Sequence, residues 1–132
     1  MTTNETVKRI YTTLGKALHT GDLDALDEVV THDAVDHDLP PGYAPGLQGI
    51  KRALGEARVA CPGLQITVED VIVDGDRAAC RIRSHAAPDG TGRKVTHSGI
   101  DIVRISDGKI VERWRQRGAP GLFEQLGIAS RQ

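Results

Sequence analysis

Aromatic side chains are scarce in this sequence. Tyr11, Tyr43, Trp114 and Phe123 are all there are, so the core must be built mainly from Val, Ile, Leu and Ala. Cysteine is almost absent too. Cys61 and Cys80 share no short metal-ligand spacing and read as two buried thiols rather than a disulfide. An excess of charge of either sign is also missing: 17 basic against 18 acidic residues give a formal net charge of -1, which provides no global field for nucleic acid or an anionic membrane. No apolar run approaches the roughly 20 residues that span a bilayer. The opening MTTNETVKRIY lacks the charged-then-apolar layout of a secretory signal. A cytoplasmic protein with neither a nucleic-acid nor a membrane partner is therefore expected, and 132 residues suit a single domain spanning 1–132.

What is present divides into two textures. Thr2 and Glu5 form a capping box, after which Val7, Tyr11, Leu14 and Leu18 recur at helical spacing up to Gly21. Asp22 caps a second short helix that turns Leu23, Leu26, Val29 and Val30 inward. Residues 35–46, with three prolines and two glycines, read as a loop. A third helix follows from about Leu47 to Cys61, stopped by Pro62 and Gly63. Beyond it, apolar and polar residues alternate. Asp74-Gly75-Asp76 turns one hairpin, a glycine-rich loop over 88–92 leads to a strand near Lys94 to Ile105, and Asp107-Gly108 turns that strand into another near Ile110 to Arg117. The tail is read as a short helical turn packing Leu122, Phe123 and Leu126 onto the sheet. The predicted fold class is α+β: a curved four-stranded antiparallel sheet, cone-shaped, wrapped by three N-terminal helices over a cavity.

Three phrases carry a family likeness: HTGDLDALDEVV followed by VDHD, then CPGLQITVEDVIVDGDRAACRI, then GIDIVRISDGKIVERWR with QLG after it. In this order and spacing they resemble the SnoaL-like polyketide cyclase family of the nuclear transport factor 2-like superfamily, over most of the chain. The resemblance implies a conical pocket for small hydrophobic, polyketide-derived molecules, a homodimer, and chemistry without a metal or an organic cofactor. The family's ring-closing members carry an acid on the last strand, and the corresponding place here is Gly118. Position 101, a pocket histidine in those members, is an aspartate here.

The residues themselves supply the candidate chemistry. Asp101 sits between Ile100 and Ile102 on a strand expected to be buried. There a carboxyl is either hydrogen-bonded to its neighbours or desolvated into a proton-transfer role. Alternation places His97, Gly99, Asp101 and Val103 on one face; if that face is the concave one, a substrate could lie over the glycine. His37, flanked by Asp36 and Asp38, is the third catalytic candidate, at the rim. Trp114 would stack on a planar ligand and Gln116 would orient a carbonyl. Tyr11, Leu14 and Leu18 complete the substrate-binding set. No metal is expected, since no ligand cluster has metal spacing. His19 and His32 read as surface residues. Arg113, Arg115 and Arg117 are expected on the outer sheet face, as paired charges in the dimer interface.

Three readings follow. The first is a cofactor-independent cyclase or isomerase on a small hydrophobic, oxygenated, polyketide-like molecule, with Asp101 moving a proton. The second is a non-catalytic small-molecule-binding or accessory protein. The third is a hydroxylase or epoxide-opening relative, which needs a second acid and an arginine converging on one water. The second is separated from the first by whether Asp101 meets a cavity or a salt bridge.

Overall fold

The structure is a computed structural model that describes residues 2–86, 95–117 and 126–127. Helix α1 (Thr3–Thr20) starts at the expected capping box, in which the Glu5 N–H donates to Thr2 Oγ1 at 3.1 Å and the Thr2 N–H donates to Glu5 Oε1 at 3.2 Å. Gly21, with φ of +84°, ends it by donating its N–H to the Ala17 carbonyl. A left-handed residue costs glycine little. The apolar stripe of α1 then lies flat on a sheet, burying Val7, Ile10, Tyr11, Leu14 and Ala17 against Ala78, Cys80, Ile82, Val103 and Ile110.

Among the described residues the sheet has five strands rather than four. The order is β1-β5-β4-β3-β2, where β1 is Val30–Asp36, β2 Gln65–Asp74, β3 Arg77–Ala86, β4 Val95–Ser106 and β5 Lys109–Arg117. Strands β2 to β5 form the expected antiparallel meander. Both tight turns use the predicted residues: Gly75 at φ of +63°, and Asp107-Gly108 with φ of +51° and +78°, the left-handed pair that matches the twist of a hairpin.

The extra strand corrects the reading of residues 23–36. A 3-10 helix occupies Leu23–Glu28, and the chain then extends into β1, which pairs parallel with β5. Its register shifts between Val30 and Val35, so burial skips from Val30 to Ala34 and no two-residue alternation survives to announce a strand. Helix α2 (Leu47–Ala60) follows the connecting loop. Only its first turn is sealed, through Leu47, Gly49 and Ile50, and burial fades toward Val59, which is 79% exposed.

The 88–92 loop, Gly118, Leu122 and Phe123 lie outside the described residues. Leu126 is described, and at 60% exposure it does not pack onto the sheet as expected. No helix among the described residues is long and apolar enough to cross a membrane.

Gly49 shows how tightly α2 is seated. A Cβ there would run into the Ala44 carbonyl oxygen and come within 2.8 Å of Leu39 Cδ1. Alanine inside a helix ordinarily stabilises by up to about 1 kcal/mol over glycine, but overpacking of this kind costs about 1–3 kcal/mol. Gly49→Ala is therefore expected to lower the urea midpoint. Gly42→Ala, which meets nothing within 4 Å, is expected to lose only the roughly 1 kcal/mol of its left-handed backbone.

Candidate active site

Asp101 stands in the middle of β4, paired with Cys80 on one side and Arg115 on the other. It faces inward with Val103, and only 5% of it is exposed. It is not a lone acid. Tyr11, brought over it by α1, donates its hydroxyl to Asp101 Oδ2 at 2.6 Å. Arg113 Nη1 lies 4.0 Å from the same oxygen, and Arg115 Nε lies 3.4 Å from Oδ1. Arg113 in turn donates from Nη2 at 2.5 Å and from Nε at 2.9 Å to Asp36 Oδ2. Two carboxylates and two guanidiniums thus share one inner face, and their charges balance. Buried charges persist only when paired in this way.

The electrostatics follow from that arrangement. Burial, reinforced by the negative charge on Asp101, holds the Tyr11 phenol well above its usual pKa, so it stays a donor. Burial, again with Asp101, pushes the Cys80 thiol up to about 12, which makes it inert as a nucleophile. For Arg113 burial opposes the charge, but Asp36, Tyr11 and Asp101 outweigh it and raise the pKa.

Burial declines along this face from Val103 and Asp101 to the half-buried Gly99 and His97. His97 pairs with Ser84 of β3. Four residues of strand separate it from Asp101, about 13 Å of rise, so the two side chains can act on one molecule only from its opposite ends. Tyr11 also lines two shallow clefts between α1 and β2, of about 320 and 280 Å3. Leu14 and Leu18 are packed within the buried interior.

The remaining candidates lie across the sheet. Trp114 and Gln116 pair with Ile102 and Ile100, which point outward. The His37 ring stacks on Trp114 at 4.9 Å and bonds through Nε2 to Glu112 Oε2 at 2.7 Å. That hydrogen bond, assisted by Arg104, lowers the Glu112 pKa. The structure therefore brings Tyr11 to Asp101, keeps His97 on the same face, and does not bring His37, Trp114 or Gln116 there.

Arg113 and Arg115 correct the reading in the opposite sense, being inside rather than on the outer face. The cause is a register shift in β5: Ile105 pairs with Ile110, but Arg104 pairs with Glu112. The additional residue reverses which side chains point inward beyond it. Asp36 and Arg113 were thus missed as site residues. The one signal for them was an acid and an arginine in segments that only tertiary pairing joins. Among the described residues no group of three or more His, Cys, Asp or Glu side chains is placed to hold a metal ion.

Comparison with known proteins agrees with this architecture. The family model described as SnoaL-like polyketide cyclase matches residues 8–126. The chain belongs to the SnoaL-like polyketide cyclase family. A Bacillus cereus protein provisionally assigned as a polyketide cyclase has 30% identity, with 89% of this chain and 78% of that one covered and a TM-score of 0.72. IdmH of Streptomyces antibioticus, with the same provisional assignment, has 26% identity over 97% of this chain and 100% of its own, at a TM-score of 0.75. TsrD of Streptomyces laurentii gives 25%, 95%, 97% and 0.76. No curated protein matches. These SnoaL-like neighbours share the cone-shaped α+β fold. The acid that the resemblance sets on the last strand falls at Gly118, outside the described residues.

Two measurements test the network. Arg113→Met leaves Asp36 and Asp101 buried without their bridging cation and is expected to cost about 3–5 kcal/mol in urea denaturation. The second is a pH series. The unfolded chain releases the Cys80 proton near pH 9, whereas the folded chain holds it to about 12. The native state therefore binds more protons in that window and stability falls as pH rises through it. Cys80→Ala is expected to lose less stability between neutral and strongly alkaline pH than the natural protein does, and equal slopes would contradict the assignment.

Proposed function

We propose that the protein is a cofactor-independent cyclase or isomerase acting on a small hydrophobic, oxygenated, polyketide-like molecule by acid/base chemistry. The observation that carries this reading is the Asp101 carboxylate on the inner face, oriented by the Tyr11 hydroxyl, with burial decreasing from it toward His97. The arginines beside it are the salt bridge that the binding-protein reading calls for, so that reading stands as the alternative. Asp101 takes a proton from carbon beside a carbonyl, the C–H electrons pass to the carbonyl oxygen as an enolate, and the proton is returned after the new bond has formed or the double bond has moved. His97 polarises a carbonyl at the far end of the molecule. Tyr11 holds one carboxylate oxygen, so the approach is through the other, on the Arg115 side. His37, Trp114 and Gln116 have no part in this step, because their side chains lie across the sheet.

A specific observation favours a second reading. Arg113 stands between two acids, Asp36 and Asp101, the combination that water addition or epoxide opening requires. Asp36, the second acid this reading needs, is 1% exposed against 7% for Asp101, so the first reading is preferred.

The test is turnover of linear and monocyclic aromatic polyketide ketones, followed by NMR for ring closure and for exchange of the protons beside the carbonyl. Asp101→Asn keeps the shape and removes the proton exchange. It is expected to reduce turnover roughly 100-fold or more, the usual contribution of a positioned general base. His97→Gln is expected to act mainly on KM. Unchanged turnover in Asp101→Asn refutes the assignment, incorporation of labelled oxygen from water selects the second reading, and binding without turnover by the natural protein indicates a binding protein.

A further inference from the structure

His37 takes no part in the chemistry assigned to Asp101, yet it stands between two carboxylates that are fixed to β5. Its backbone N–H donates to the Arg113 carbonyl at 3.0 Å. On one side of it Asp36, the last residue of β1, holds Arg113 on the inner face, and on the other Asp38 accepts the Arg115 N–H. The Asp38 N–H also donates to Asp36 Oδ1 at 3.0 Å. The His37 ring turns to the opposite face. It lies flat on Trp114, 8° from parallel, and its Nε2 meets Glu112 Oε2, while Glu112 Oε1 accepts from Arg104 Nε at 3.1 Å. Little else holds the end of β1: beyond the register shift only Val35 and Asp36 pair with β5.

We propose that His37 is a positioning residue for the inner-face network: its charged ring clasps β5 from the outer face, and that clasp sets where Asp36 holds Arg113 and hence where Arg113 stands beside Asp101. Its effect on turnover rests on the acid/base reading proposed above, and its effect on Asp36 does not. Histidine suits the part because its charge changes between about pH 5 and 8. A charged imidazole donates to a carboxylate in a bond roughly twice as strong as a neutral one, and as a cation it is attracted to the indole face. The bond to His37, with Arg104 behind it, holds the Glu112 carboxyl below its usual range, so Glu112 stays ionised in weak acid. Of the other charges near the ring, Arg104 is tied to Glu112, Arg77 leans over Trp114 at 5.6 Å, and Asp36 and Asp38 are turned to Arg113 and to the Arg115 backbone. The clasp is therefore tightest where His37 and Glu112 are both charged. It loosens as pH rises and His37 loses its proton, and again in stronger acid as Glu112 gains one.

Trp114 is the chain's one tryptophan, and a charged imidazole stacked on an indole quenches its emission. At fixed protein concentration the natural protein is expected to brighten in one step between about pH 5 and 8. His37→Gln is expected to lose that step and His97→Gln to keep it, since it is the His37 ring that stacks on Trp114. The His37 side chain is 41% exposed, so circular dichroism of its variant should be unchanged. With aspartate labelled at the side-chain carboxyl, the NMR signals of Asp36 and Asp101 are expected to move with the same midpoint as the emission in the natural protein and to stay still in His37→Gln. Glu112→Gln should shrink that movement, which a purely through-space effect of the His37 charge would leave in full. In turnover, the ratio of kcat at weakly acid pH to kcat at weakly alkaline pH is expected to be several-fold larger for the natural protein than for His37→Gln, with KM alike. Absence of turnover on every ketone counts against the acid/base reading alone, because emission and carboxyl signals are read without substrate. Emission that does not change with pH, a step that His37→Gln retains, or carboxyl signals that ignore the step overturn the proposal. So does a full carboxyl response in Glu112→Gln, or the same pH dependence of kcat in His37→Gln as in the natural protein.

Discussion

A guanidinium almost removed from water, that of Arg113, is the constraint around which the inner face is organised. It sits between Asp36 of β1 and Asp101 of β4, while its own backbone belongs to β5. Tyr11 extends the connection to α1. Three strands and a helix therefore meet at one cation. Without it two buried carboxylates would lose the cation that bridges them, which costs free energy. The cost of burying these charges is met only by their mutual geometry, so each group restricts where the others can stand.

The same network explains how β1 is held. Its parallel ladder with β5 is interrupted between Val30 and Val35, and the backbone pairing beyond that shift is short. The VDHD segment makes up the difference by straddling the sheet edge. Asp36 points inward to Arg113, His37 points outward to Glu112 and Trp114, and Asp38 accepts the Arg115 N–H at 2.6 Å. A segment rich in turn-forming residues on either side is thereby fixed by side chains rather than by a long run of backbone bonds. Alternation along β4 and β5 then divides the sheet by chemistry. Asp101, Arg113 and Arg115 are on one side, and Ile100, Ile102 and Trp114 on the other.

Much of this was legible in the amino-acid order. The capping box at Thr2 and Glu5, the end of α1 at Gly21 and the two hairpin turns depend on contacts between residues a few positions apart, and all stand where the local chemistry puts them. The meander from β2 to β5, and the sharing of one face of β4 by His97, Gly99, Asp101 and Val103, followed from alternation; that this face is the inner one did not, because its neighbours Ile100 and Ile102 are the more apolar and yet point outward. Where alternation is interrupted, the reading failed. The irregular pairing of β1 concealed a strand, and the additional residue in β5 placed Trp114 and Gln116 outside and Arg113 inside. The acidic partner of Arg113 was equally hidden, because residues 36 and 113 are joined only by strand pairing.

The sequence alone determined the α+β class and most of the helix and strand boundaries, since these rest on periodicity and on short-range backbone chemistry, and its three phrases carried the likeness to the SnoaL-like family. Tertiary structure alone decided that Asp101 is one member of a charged network, that His37 and Trp114 belong to the opposite face, and that apolar side chains are left uncovered there. The physical reason is the strand ladder: one residue more or less in the register turns every later side chain through the sheet, and the ladder's register is set by partners far away in the chain.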